Sequence, residues 1–418
     1  MSALAQEILE FETLTEVLED LDRRGIIGLQ RYRAMNGYIS LKARYTDTPV
    51  SGVFELTPLC NLDCKMCYVH LNANQIGADE RLLTVSEWKK IMRQAVDAGM
   101  LYATLTGGEC LTYSGFRELY LHLVSMGVQP DILTNGRLLT EDMVAFLAQY
   151  PPAVIQVSVY GSDEDAYEQV TGHRAFHEVM QGIARAKAAG LNITLAITPN
   201  RYMQEDVQAL LDLVRAQDVI YTVGEGTLEA REETGRSLKD YGVEIERYFE
   251  IKQSEWSYYA EKQTPQVTKA LPRYIPKNRQ LLMGLPCGGA HSTFHVNWKG
   301  LLCPCTGFSG AVQCNIIEQG FDKAWGELRQ AMKAYRAPVE CNNCSFSDIC
   351  AGCPAETGMG QLVGRLNKAV CQRIQRYAEM DRTLGANSCV VDATMQKERK
   401  VSLDEKSISK AQREKGRL

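Results

Sequence analysis

The chain has 418 residues, 45% of them hydrophobic and 23% charged, the composition of a folded globular protein of two or three units and not of a disordered, fibrous or single-module one. Lys and Arg total 46 against 51 Asp and Glu, a formal net charge of −5, so the basic footprint that neutralises nucleic-acid phosphates is missing. No uncharged stretch reaches the roughly 18 apolar residues of a membrane span, and the acidic run from Glu7 to Asp22 is the wrong flank for a signal peptide. The expectation is a cytoplasmic protein with neither a nucleic-acid nor a membrane partner, in a compartment where thiols stay reduced.

Residues 1–49 read as a helical extension, with apolar positions at Leu4, Ile8, Leu14, Val17, Leu18 and Leu21. Over residues 50–225, short β-branched runs alternate with amphipathic stretches, predicting strands at 53–57, 102–106, 131–134, 154–159, 193–198 and 220–223. Thr84-Val-Ser-Glu87 has the form of a capping box opening a helix that runs to Gly99. Strands joined through helices must pair in parallel, and six such units predict an α/β fold, a partial (β/α)6 TIM-like barrel with functional residues at the C-terminal ends of its strands. Residues 226–280 read as a connecting helical segment whose Tyr241, Tyr248, Trp256 and Tyr259 pack on the barrel. Residues 281–375 form a small Cys-rich domain, and 376–418 a charged tail, solvated and flexible.

The 14 cysteines are grouped: Cys60, Cys64 and Cys67 early, eight from Cys287 to Cys353, then Cys371, with only Cys110 and Cys389 apart. In a cytosolic chain such clusters point to metal more than to disulfides. The run Cys60-Asn-Leu-Asp-Cys64-Lys-Met-Cys67-Tyr68 lies just past the first strand and brings three thiolates towards one metal site. Three is one short of a closed tetrahedral site, which leaves a position for a substrate or cofactor. Thr106-Gly-Gly-Glu109 closes the second strand; two glycines admit close approach to the backbone, and a carboxylate accepts hydrogen bonds from an ammonium group.

Cys60-x3-Cys64-x2-Cys67 followed by the aromatic Tyr68, with Gly107-Gly108-Glu109 about 40 residues later, resembles the radical SAM superfamily. That resemblance implies a [4Fe–4S] cluster on Cys60, Cys64 and Cys67, with S-adenosylmethionine chelating the open iron. It implies cofactor contacts at Tyr68, at the Gly107–Gly108 backbone and at Glu109, which would hold the amino end. Ser158, in Ser-Val-Tyr-Gly, and Arg174, in Val-Thr-Gly-His-Arg, resemble family positions that contact ribose and carboxylate.

The late array, Cys287, Gly300, Cys305, Cys341-x2-Cys344-x5-Cys350-x2-Cys353 and Cys371, resembles the SPASM domain, which carries up to two auxiliary [4Fe–4S] clusters. It departs from the usual pattern in its last central gap, two residues instead of three, and paired Cys-x2-Cys motifs also suit zinc. The resemblance assigns Cys287, Cys305 and Cys353 to one auxiliary cluster and Cys341, Cys344, Cys350 and Cys371 to the other. Cys303 or Cys314 would be either the missing ligand of the first or a hydrogen-atom donor; Cys303, in Cys-Pro-Cys, is favoured as the ligand.

Three clusters and S-adenosylmethionine imply reductive cleavage to a 5′-deoxyadenosyl radical that abstracts hydrogen from an unactivated carbon. SPASM relatives act mostly on peptides, so the leading expectation is maturation of a ribosomally made peptide by thioether or carbon–carbon crosslinking or by epimerisation. An anaerobic sulfatase-maturing type is an alternative, although such enzymes place an Asp base after the cysteine that Cys305 resembles, where this chain has Thr306. The cysteine pattern is also compatible with a radical dehydrogenase acting on a small molecule and with a non-enzymatic zinc scaffold. Implied partners are an electron donor such as flavodoxin or ferredoxin and a peptide substrate. The region before the first strand reads as too short for a winged-helix leader-binding domain, which leaves leader recognition to the barrel, the 226–280 segment or a separate leader-binding protein.

Overall fold

The computed structural model describes residues 39, 42–44, 46–78, 80–203, 207–224, 230–231, 234–262, 287–308, 310, 312–346, 350, 353, 355 and 362–388. The expected N-terminal helix, the tail beyond residue 388 and Cys389 lie outside the described residues.

Six strands, β1 (Ser51–Glu55), β2 (Tyr102–Thr106), β3 (Pro130–Thr134), β4 (Ile155–Ser158), β5 (Ile193–Ile197) and β6 (Ile220–Val223), pair in parallel and in sequence order. Their crossovers carry α1 (Val85–Asp97), α2 (Phe116–Ser125), α3 (Glu141–Gln149), α4 (Glu164–Thr171), α5 (Phe176–Ala188) and α6 (Val207–Ala216). This is the expected partial barrel. The capping box at the start of α1 forms as its spacing predicts: the Thr84 hydroxyl accepts from the Glu87 amide at 3.3 Å, and the Glu87 carboxylate accepts from the Thr84 amide at 2.8 Å. The helix then buries Trp88, Ile91, Met92 and Ala95, the i, i+3, i+4, i+7 face.

The Cys-rich region does not begin as a separate layer, as the sequence suggests. Strand β7 (Thr293–Val296) pairs in parallel with β1, and β8 (Leu301–Cys303) and β9 (Cys314–Asn315) follow antiparallel, giving one nine-stranded sheet in the order β6-β5-β4-β3-β2-β1-β7-β8-β9. The seam is aromatic: Phe294 meets Phe54 edge-on at 5.9 Å and Phe321 at 4.9 Å between ring centroids. Gly52 permits this approach, since a Cβ there would fall 2.4 Å from the Phe294 ring. Phe321 opens α8 (Phe321–Met332), which buries Ala324, Trp325 and Leu328 beside it.

The aromatic stripe of the connecting segment divides between two neighbours. On α7 (Ile245–Glu261), Tyr259 bonds both the amide and the carbonyl of Tyr221 in β6, at 2.8 and 2.9 Å. Trp256 instead stacks on Tyr377 of α9 (Lys368–Ser388) at 5.5 Å. That helix runs past residue 376, so the first part of the expected tail is helical. Among the described residues, no helix is long and apolar enough to cross a membrane.

Candidate functional site

Past β1, the segment Leu56–Leu59 runs against the end of β2. The amides of Gly108 and Glu109 donate to the carbonyls of Thr57 and Leu59 at 2.7 and 2.9 Å. A Cβ on Gly107 would lie 2.5 Å from the Thr57 oxygen, and one on Gly108 2.4 Å from the Leu59 oxygen. The two glycines are therefore required for contact between two backbones, where the motif by itself suggests a ligand pressed against them. Beyond Cys60 the loop is pinned to the C-terminal end of α4, where the amides of Asp63 and Lys65 donate to the carbonyls of Thr171 and Val170, each at 3.0 Å. Those carbonyls lie in the last turn, where the helix offers no partner of its own. Gly172, with φ of +73°, turns the chain away in the left-handed conformation.

Cys60, Cys64 and Cys67 thus share one anchored loop at the C-terminal ends of the strands. Cys64 is buried and the other two are half-buried. The Cys67 sulfur accepts from the His70 amide at 3.2 Å, and the Cys60 sulfur from the Leu62 amide at 3.4 Å and from Asn135 Nδ2 at 3.6 Å. Burial pushes the Cys60 thiol up to about 12, with Glu109 adding to it. Cys64 is raised by burial and then by Cys67 and Cys60, and Cys67 is raised by burial against the pull of neighbouring amides. Arg236 opposes the rise at Cys64 and Cys67; its guanidinium donates to the Cys67 carbonyl at 3.3 Å and to Asp63 at 2.6 Å.

Among the described residues, no three or more Cys, His, Asp or Glu side chains converge as a ready cage for a metal ion. The chemistry of the donor set nonetheless fits iron and sulfide: three soft thiols in electrostatic contact, N–H groups aimed at sulfur and a guanidinium alongside. Loading would displace thiol protons. A cavity of about 490 Å³ opens beside Cys60, lined by Thr57, Leu59, Asn61, Leu83 and Tyr113, a volume that suits a small ligand. Glu109, Ser158 and Arg174 do not line it.

Glu109 is placed differently from its expected cofactor role. It is buried, and its carboxylate accepts from the Leu111 amide at 3.0 Å, the Thr134 hydroxyl at 2.9 Å and the Asn135 amide at 2.7 Å. Burial raises its pKa against those donors. The carboxylate is thus engaged inside the protein, tying the end of β2 to the end of β3. Arg174 is likewise committed elsewhere: half exposed, it holds Asp165 and Glu168 of α4, each at 2.8 Å. Ser158, at the end of β4, bonds Tyr160, which feels the charges of Cys64 and Cys67. Tyr68 is pushed up to about 12 by burial, while Arg231 opposes and Cys67, Glu55 and Cys305 add to the rise, so it stands between the early loop and the late cysteines.

The late cysteines fall into two neighbourhoods. Cys305 is pushed up to about 12 by burial and then by Cys287 and Cys353, and Cys371 is raised by burial and then by Cys350 and Cys344. Cys303 is fully buried and pairs across the hairpin with His295; burial pushes it up to about 12, Arg231 opposes, and Glu55, Cys305 and Cys314 add. Sequence reasoning missed this centre: Glu55 takes Arg231 in a two-pronged pair at 2.8 and 2.6 Å, with His295 Nε2 3.2 Å from the same carboxylate. Arg231 and Arg236 came from the segment read as connecting, and nothing in its local pattern marked them.

Residues 54–214 match the radical SAM superfamily. That segment is a radical SAM domain. The match spans β1 through α6 and includes the three-cysteine loop. The chain is 26% identical over 338 residues to the AdoMet-dependent heme synthase of Methanosarcina barkeri, covering 74% of this chain and 92% of that protein. It is 27% identical over 165 residues to the sporulation killing factor maturation protein SkfB of Bacillus subtilis, and 26% over 168 residues to the PqqA peptide cyclase of Bradyrhizobium diazoefficiens. These last two alignments cover only 39% and 43% of the relatives' own length. Among solved structures, Streptococcus suis SuiB bound to precursor peptide SuiA aligns with a TM-score of 0.61 at 17% identity, covering 83% of this chain and 82% of that one. Native anSMEcpe with bound AdoMet aligns with a TM-score of 0.62 at 14% identity, covering 80% and 97%. At such identities the likeness is one of fold.

Proposed function

We propose that this radical SAM protein is a SPASM-type peptide maturase that abstracts hydrogen from a ribosomally made precursor and crosslinks or epimerises it. The observation that carries the reading is the shared sheet: β7 pairs with β1, the strand that leads into the early cysteine loop, and the next strand, β8, ends at Cys303. Cys60, Cys64 and Cys67 would hold the catalytic cluster, Cys287, Cys305 and Cys353 one auxiliary cluster, and Cys341, Cys344, Cys350 and Cys371 the other. Cys303 remains the proposed fourth ligand of the first auxiliary set. A reduced [4Fe–4S] cluster held by Cys60, Cys64 and Cys67 would supply one-electron chemistry for reductive cleavage of S-adenosylmethionine. The chain's own part is to fix the loop through α4, to aim amides at two of the sulfurs and to keep water from Cys64. Tyr68, the Gly107–Gly108 backbone and Ser158 remain proposed cofactor contacts; Glu109 and Arg174 are omitted, because their side chains are engaged elsewhere. A flavodoxin- or ferredoxin-type donor would supply the electrons, and leader recognition would fall to the barrel, the 226–280 segment or a separate protein.

A second reading has a specific observation in its favour. The relative that aligns over 338 residues is named for heme synthesis, while the two peptide-modifying relatives align over only 165 and 168 residues. Radical oxidation of a small molecule of the heme-precursor type is therefore the competing substrate class. The test incubates anaerobically loaded protein, reductant and S-adenosylmethionine with short peptides encoded beside the gene, and in parallel with tetrapyrrole precursors. Mass spectrometry showing loss of two hydrogens from a peptide, or solvent deuterium gained at an α-carbon, supports peptide maturation. Conversion of a tetrapyrrole with no change in the peptides overturns it.

A further inference from the structure

We propose that Asn135 is a positioning residue for the early cluster, which fixes Cys60 and sets how readily the cluster on it is reduced. The inference rests on the reading that Cys60, Cys64 and Cys67 hold a cluster, and extends it to a residue outside the cysteine motif. Among the described residues, Asn135 is the one side chain that donates to any of those three sulfurs. Its Nδ2 carries two hydrogens and has two acceptors, Asn61 Oδ1 at 2.7 Å and Cys60 Sγ at 3.6 Å.

The rest of the residue is fixed as firmly. Its amide donates to Glu109 Oε2 at 2.7 Å, its Oδ1 accepts from the Arg137 amide at 3.0 Å, and the residue is buried. Arg137 Nη1 in turn donates to the Asn61 carbonyl at 2.9 Å. Gly136 makes the turn possible, with φ of +81° and a Cβ position 2.6 Å from Val157. The buried carboxylate of Glu109 therefore acts one step back: it holds the Asn135 backbone, Asn135 holds Cys60 and Asn61, and the end of β3 becomes the mould for the first cysteine.

An N–H directed at a ligating sulfur withdraws electron density from it, which favours the reduced, more negative cluster. Removing the donor should make reduction harder and the cluster less firmly held. The isosteric Asn135→Asp keeps the acceptor for the Arg137 amide but sets a carboxylate oxygen where Nδ2 donated to sulfur. In full-length protein loaded anaerobically, the early cluster is identified as the EPR signal that Cys64→Ala removes. For Asn135→Asp we expect a lower midpoint potential for that signal and roughly tenfold faster iron loss to a chelator, with Asn135→Ala intermediate. Iron retained at the late cysteines and an unchanged circular dichroism spectrum show that the variants fold. A midpoint and release rate equal to wild type in a folded Asn135→Asp protein overturn the inference and leave the cluster reading standing. Cys64→Ala with the full iron content and spectrum of wild type overturns both.

Discussion

Glu55 shows how a single buried residue sets a pH dependence. Burial alone would raise its pKa, but Arg231 and His295 outweigh burial and hold the carboxyl at about 2. An unfolded Glu titrates near 4.5. The stability contributed by its ionised form is thus complete above about pH 5 and fades as the pH falls towards 2, at most a few kcal/mol. Glu55→Gln leaves Arg231 buried without its counter-charge and should cost roughly 3 kcal/mol at pH 7. In urea unfolding of the metal-free protein, the gap between wild type and this variant should narrow between pH 5 and pH 3; a gap that stays constant would contradict the assigned pairing. None of this was legible in the sequence, because Arg231 lies 176 residues from Glu55 and only the fold brings them together. The same blindness explains Glu109 and Arg174, whose motifs were visible while the donors and carboxylates that occupy them were not.

At the scale of elements, the edge of the barrel is closed by side chains. Strand β6 is terminal in the sheet, and on it the Val223 amide donates to Glu255 at 2.7 Å while the Val223 carbonyl accepts from Lys252 at 2.7 Å. With Tyr259 on Tyr221, three residues of α7 replace the hydrogen bonds of a missing neighbour strand and so blunt an edge that could pair with another chain. Glu255→Ala should cost about 1–3 kcal/mol by leaving a buried amide unsatisfied, and combining it with Lys252→Ala should promote self-association visible by size-exclusion chromatography. Trp256→Ala, which removes a contact to α9, should lower the melting temperature without producing oligomers. Equal behaviour of all three variants would refute the edge-capping role. The strands and the α1 cap were readable because they follow local rules of β-branched runs and Thr-x-x-Glu spacing. That α7 divides its aromatic residues between two neighbours was not, since heptad spacing marks a face without saying what covers it.

For the whole molecule, the sequence divided barrel from Cys-rich region, and the structure joins them at β1 and β7. Composition could not show this, because β7 is four residues long and its fit depends on Gly52 opposite Phe294. With one cluster at each of the three cysteine neighbourhoods, as proposed, an anaerobically loaded chain should carry about twelve irons, four for each cluster. Replacing Cys60, Cys64 and Cys67 together by Ala should leave about eight; loss of all iron would mean that the early loop organises the late one. We propose that the early loop performs radical chemistry on S-adenosylmethionine. The most direct test of this central claim is 5′-deoxyadenosine formation by loaded, reduced protein, measured for wild type beside Cys64→Ala. Wild type should form it and Cys64→Ala should form none; equal formation by both, or none by a wild type carrying its full iron, would contradict that claim.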